Sequence, residues 1–231
     1  MIETSEGLDK KLSLHYYSRM RFVANLLPQL TKASNNNNEE KTPSPLSRVV
    51  SVLEAGGEAP LNLTDLPLKT HYSLHNCAKH AITMNSVAME HLASAASHPQ
   101  KTSFVHCFPG IVRTRLARGF GSGSVTRLAV NALMVLMKPW EVEVEESGER
   151  HLYAATSLRF SPASGRDGAG GGEDVAEGSD GRLGSGFYRL AADGETFAPS
   201  RVLQQYREDG TREMVWKHTV DLFASVRDER S

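Results

Sequence analysis

The residues best placed to meet a ligand lie at a turn that follows a short apolar stretch. Ser103-Phe104-Val105-His106-Cys107-Phe108 runs directly into Pro109-Gly110-Ile111-Val112-Arg113-Thr114. Proline fixes φ and has no N–H to give, while glycine lets a main chain come close to another group. In open α/β sheets, ligands lie outside the carboxyl ends of the strands, which is where this turn would sit. The pattern predicts a backbone bent over a ligand, with Pro109, Gly110 and the small hydroxyl of Thr114 as contacts. The competing reading is an ordinary turn after a core strand. Arg113, Arg115 and Arg118 could meet a phosphate or form a solvated basic face.

The bulk composition narrows the classes. With 231 residues the chain can bury a real core. Its 26 Lys and Arg against 27 Asp and Glu leave a net charge of −1, which favours neither nucleic acid nor an anionic membrane as partner. Cys77 and Cys107 are too few for a disulfide framework and show no metal-ligand spacing, so no metal site is expected and a reduced, cytoplasmic setting is. The first residues, Met1-Ile2-Glu3-Thr4-Ser5-Glu6, are neither basic nor apolar, unlike a signal peptide. The most apolar window, Leu128 to Met137, is too short for a membrane span of about 20 residues.

These ligand-facing residues need elements to hold them. Leu8 to Leu30 has helical spacing, with Leu8, Leu12, Leu14, Tyr17, Phe22, Val23, Leu26 and Leu27 mostly on one wide face and Pro28 marking its last turn. Residues 34–45 read as a polar loop. Arg48 to Leu53 is a β-branched run too short for a helix, hence a buried parallel strand. A second helix is predicted from Tyr72 to Ala96, then a strand from Ser103 to Phe108. That order implies right-handed βαβ crossovers and a parallel sheet. Further helices are expected at Arg115–Met137, Glu145–Ala155 and Glu213–Val226, and a last strand near Gly186–Leu190. Residues 165–186, rich in glycine and acidic groups, read as a mobile loop rather than a phosphate cradle.

This order, with six local motifs, resembles the carboxy-terminal part of the short-chain dehydrogenase/reductase family. Leu26-Leu27-Pro28-Gln29-Leu30 resembles that family's L-L-P-x-L, and Arg48 to Leu53 its central strand R-I-V-N-V-S-S. Tyr72-Ser73-Leu74-His75-Asn76 stands where the family has Y-x-x-x-K, and Pro109 to Thr114 resembles P-G-x-V-x-T. Glu146 to Ala155 and Gly186-Phe187-Tyr188 resemble a late helix and strand of the retinol-dehydrogenase-like branch. The tail around Val215-Trp216-Lys217-His218-Thr219 looks most like reductases of filamentous fungi. The implied fold is a partial Rossmann-like, doubly wound parallel sheet with long flanking helices. The strands and glycine-rich turn that open a complete member, about 90 residues, have no counterpart here.

The resemblance implies a catalytic set, altered in this chain. Tyr72 keeps the position of the tyrosine that exchanges a proton with the substrate oxygen. Asn76 stands at the lysine position, where it brings no charge to stabilise a phenolate. Glu54 stands at the serine position and His15 at that of the relay asparagine. Lys79, two turns beyond Tyr72, only partly closes the gap left by the lysine, and Ser51 is expected to be buried. The implied activity is transfer of hydride between NAD or NADP and a carbonyl or alcohol of a small molecule, in fungal secondary metabolism. Lacking the glycine-rich turn, residues 1–231 are not expected to hold a dinucleotide tightly. The alternative is a catalytically inactive relative that binds or scaffolds, or a chain cut from a longer reading frame. A homodimer through the two long helices is also expected.

Overall fold

The computed structural model describes residues 2–35, 47–94, 102–112, 138, 141–162 and 175–228. Its centre is a three-stranded parallel sheet of β1 (Ser47–Val52), β2 (Thr102–Cys107) and β5 (Phe187–Leu190), in the order β1-β2-β5. The register runs from Ser47 opposite Thr102 to Val52 opposite Cys107, and from Phe104 opposite Phe187 to Cys107 opposite Leu190. All six residues of β2 are buried, as a central strand covered on both faces must be. A second, two-stranded parallel pair joins β3 (Ile111–Val112) to β4 (Glu141–Val142).

Alternation along the strands sends side chains into two separate cores. Phe104 and Phe187 point to the face covered by α3 (Leu74–Ser94), where Met84, Val87 and Met89 meet Tyr16 and Met20. Val105, Cys107, Tyr188 and Leu190 point to the other face, against Phe160 and against Ala154 of α4 (Val144–Thr156). Helices on both faces of a parallel sheet make this an α/β layer of the doubly wound kind. β1 is the edge of this sheet among the described residues.

The amino-terminal helix departs from its expected form in three ways. Asp9 caps α1 (Lys10–Leu12), accepting from the N–H groups of Lys11 at 2.9 Å and Leu12 at 3.0 Å. A π-helical turn, Ser13–Tyr17, then separates α1 from α2 (Ser18–Asn35). Its wider winding shifts the helical phase, so Leu14, Phe22 and Leu26 are exposed while Leu12, Tyr16, Met20 and Leu27 are buried. The apolar residues therefore occupy two faces, not one. Pro28 does not end the helix. It lies inside α2 on the exposed side, where the carbonyl it cannot pair faces water.

The chain closes with α5 (Arg201–Glu208), absent from the sequence reading, and α6 (Thr211–Asp228). α6 lies against α3 and the π turn. Tyr16 shares a hydrogen bond with Thr219 at 2.6 Å, and Tyr17 with His218 at 2.9 Å. Of α3, 14 of 21 residues are buried, including Ser86 and Ala88, so those small residues serve packing within the chain. Within the glycine-rich stretch, Ser179 is buried and bonds Glu90, and a Cβ at Gly178 would meet Ser185. Residues 165–174 of that stretch and the helix expected at 115–137 lie outside the described residues. Among the described residues no helix is long and apolar enough to cross a membrane.

Candidate functional site

Tyr72 sits in the loop just before α3, and that loop is built around one carboxylate. Asp65 accepts from the backbone N–H of Lys69 at 2.7 Å, of Thr70 at 3.0 Å and of His71 at 3.0 Å. It also takes the Thr70 hydroxyl at 2.8 Å and faces His71 Nδ1 at 3.1 Å. Burial alone would raise its pKa, but the hydrogen bonds from Thr70 and His71 outweigh it and hold the carboxyl well below the usual carboxylate range. From the other side, Asn76 Nδ2 donates to the His71 carbonyl at 2.8 Å. The backbone on the amino-terminal side of Tyr72 is thus held from both directions.

The Tyr72 hydroxyl faces the buried Asp9 carboxylate at the start of α1. Burial, then the Asp9 charge, pushes the phenol up to about 12. Cys77, whose Sγ lies 3.7 Å from Asp9 Oδ1, is pushed up to about 11 by burial and the same charge. Tyr72 is therefore a protonated donor at neutral pH, and no phenolate is available as a base. Asn76, at the expected lysine position, serves the His71 backbone rather than Tyr72.

His15 lies in the middle of the π turn. Its carbonyl accepts from Asn85 Nδ2 at 2.9 Å, and its Nδ1 is buried with no partner among the described residues. Burial, then Arg19 and Lys11, lowers its pKa. No hydrogen bond joins the side chains of Tyr72, Asn76 and His15 among the described residues. Lys79 reaches the Gly57 carbonyl at 3.2 Å, and Glu54 is exposed. Ser51 is buried, as expected, between Arg19 and Asn85.

At the turn after β2, Gly110 has φ of 77°, and a Cβ there would lie 2.8 Å from Val142 Cγ2 and 3.0 Å from the Ala192 side chain. The close approach that demands glycine is to the chain's own β4 and the turn after β5. The space beside Phe108, Pro109, Arg150 and Ala192 is about 10 Å³, room for no more than about one water. Thr114, with Arg113, Arg115 and Arg118, lies outside the described residues.

A buried polar row escaped the sequence reading. Ser51, His106 and Arg189 are register neighbours on β1, β2 and β5, and all three side chains point to the α3 face. Above them, Ser86 donates to Glu58 at 2.7 Å and shares a hydrogen bond with His106 Nδ1 at 2.8 Å. Glu58 pairs with Arg189, and Arg19 bonds Ser51 at 3.0 Å and the Val52 carbonyl at 2.7 Å. Burial, opposed by Glu58 and helped by Arg19 and Arg189, lowers His106 to about 4, so it is neutral. The signal was a polar residue at the same parity in three otherwise apolar runs.

No protein-family model matches the chain. It is 41% identical over 224 residues to an oxidoreductase of Emericella nidulans, covering 95% of this chain and 63% of that protein. An oxidoreductase of Emericella variicolor is 37% identical over 231 residues, covering 97% of this chain and 63% of that protein. A short-chain dehydrogenase/reductase of Stachybotrys chartarum is 28% identical over 230 residues, 94% of this chain and 59% of the relative. The chain is similar, along nearly its whole length, to fungal proteins named oxidoreductases. It spans less than two thirds of the length of these relatives. Among solved structures, an NADPH-bound carbonyl reductase from chicken fatty liver superposes with a TM-score of 0.41 and 17% identity, over 86% of this chain and 61% of that one. That likeness is too loose to bear on the fold, which rests on the strand order and layers above.

Proposed function

We propose that the protein is an oxidoreductase of the short-chain dehydrogenase/reductase type, acting on a carbonyl or alcohol of a small organic molecule with NAD or NADP. The observation that carries this reading is the 41% identity, over 95% of the chain, to a fungal protein named an oxidoreductase. Tyr72, protonated and placed at the start of α3, is the residue that would hold the proton for a substrate oxygen. A nicotinamide, when bound, would supply or take the hydride. The described residues do not fit a dinucleotide at the turn after β2, where Gly110 packs on Val142 and Ala192. The expectation of weak dinucleotide binding by residues 1–231 is tested by fluorescence titration, where a micromolar dissociation constant for NADPH would contradict it.

The test of function is NADPH oxidation by the longest form of the protein the transcript encodes, over a panel of small carbonyl compounds. A second reading, a non-catalytic binding relative, is favoured by one observation: the Tyr72 hydroxyl faces Asp9 and Asn76 supplies no charge beside it. Absence of turnover across the panel, with the fold intact, would favour that reading. Self-association as a homodimer would use the exposed Phe22 and Leu26 of α2 rather than α3.

A further inference from the structure

One cavity among the described residues does not have Tyr72 on its lining. A groove of about 730 Å³ runs between the amino-terminal segment, the π turn and α6. That volume falls within the range of about 300–1,000 Å³ typical of small-molecule sites. Its walls are apolar, with Leu14 from the π turn facing Leu222, Phe223 and Val226 of α6. Two cations, Lys10 and Arg21, stand on its lining, beside Arg227 and Glu6, which have interactions of their own. Arg21 reaches across from α2, its Cζ 5.0 Å from the Phe223 ring centroid, so a cation closes over the apolar wall.

One further observation points to a ligand: the π turn widens the helix where it meets the groove and presents Ser13, Leu14 and Tyr17 to it, and such turns recur at functional sites.

We propose that this groove binds a small amphiphilic anion, an alkyl or aryl carboxylate. Its apolar body lies on Leu14, Phe223 and Val226, and its carboxylate meets the Lys10 and Arg21 charges. Charge-assisted bonds from arginine to a carboxylate are strong, and the apolar wall removes the tail from water. This inference does not depend on the redox reading.

The experiment is calorimetric titration of the chain with dodecanoate and, separately, with dodecyltrimethylammonium, which carries the same tail with the opposite charge. We expect one dodecanoate per chain, bound at least about tenfold more tightly than the cation. Arg21→Glu should weaken dodecanoate by about tenfold or more, Leu14→Asp should abolish its binding, and Arg201→Glu, outside the groove, should change nothing. Circular dichroism checks each fold, and Lys10→Glu replaces Arg21→Glu if the latter unfolds. Equal binding of the two amphiphiles, or indifference to the groove variants, means adsorption to apolar surface and overturns the proposal. So does a dimer by sedimentation that Leu14→Asp dissociates and that takes up no dodecanoate, because the groove is then the seat of a second copy.

Discussion

Glu58 and Arg189 meet at 2.9 Å with only 1% and 3% of their side chains exposed. Glu58 comes from the loop after β1 and Arg189 from β5, on the far side of β2, so the pair ties that loop to the last strand across the sheet. Ser86 also donates to Glu58 and Arg189 donates to the Ala198 carbonyl, while Arg189 Nε is buried with no hydrogen-bond partner among the described residues. A buried pair adds little net stability over apolar residues, but removing one partner strands a charge, at about 3–5 kcal/mol. Glu58→Ala should therefore cost that much in urea unfolding, and the double variant Glu58→Met with Arg189→Met should regain most of it. A single-variant loss below about 1 kcal/mol would show the pair to be wetter than its burial indicates.

The neutral His106 sets an acid limit on stability. Burial lowers it from the ordinary 6.5 to about 4, with Glu58, Arg19 and Arg189 as the charges facing it. As pH falls below 6.5 the unfolded chain takes up a proton that the fold does not. Stability is thus full above that pH and is lost between 6.5 and 4, on the order of 3 kcal/mol. His15, His80 and His218, also lowered by burial, act in the same sense. His106→Gln should flatten this part of the stability profile relative to the parent, and an unchanged slope would assign it to the other three.

For Tyr72, an ultraviolet titration should lose its step near pH 12 in Tyr72→Phe. Asp9→Asn keeps a good helix cap but removes the anion beside the phenol, so it should move that step down. In an active form of the protein, Tyr72→Phe should abolish turnover while cofactor affinity stays within about threefold. Asn76→Lys should help the oxidative direction more than the reductive one, because only oxidation needs the phenolate. Turnover that survives Tyr72→Phe within a factor of a few would remove Tyr72 from the mechanism.

Gly56 holds φ of +87°, and a Cβ there would lie 2.5 Å from the Phe197 ring. Gly210 has a similar φ of +77° and open space around it. Gly210→Ala should cost only the backbone strain, about 1 kcal/mol, whereas Gly56→Ala should cost about 1–3 kcal/mol more through displacement of Phe197. Equal losses by thermal melting would mean that Phe197 moves aside freely.

Residue order alone located the three parallel strands, α3, α4 and α6, since β-branched runs and 3.6-residue periodicity are local properties that a short window carries. It also located Tyr72 and Asn76 at the start of α3, and the turn at Pro109-Gly110. What those residues touch was not legible. Whether Tyr72 meets a lysine, a carboxylate or a substrate depends on how α1 packs, and only the fold brings Asp9 to its hydroxyl. The Ser51–His106–Arg189 row exists only once the register of three strands is set, because residues 51, 106 and 189 are neighbours in space and not in the chain. The π turn likewise has no local signature here; it places both tyrosines against α6, where Tyr16 meets Thr219 and Tyr17 meets His218. Local sequence sets the period of each element, and long-range packing decides which face of it is buried and against what.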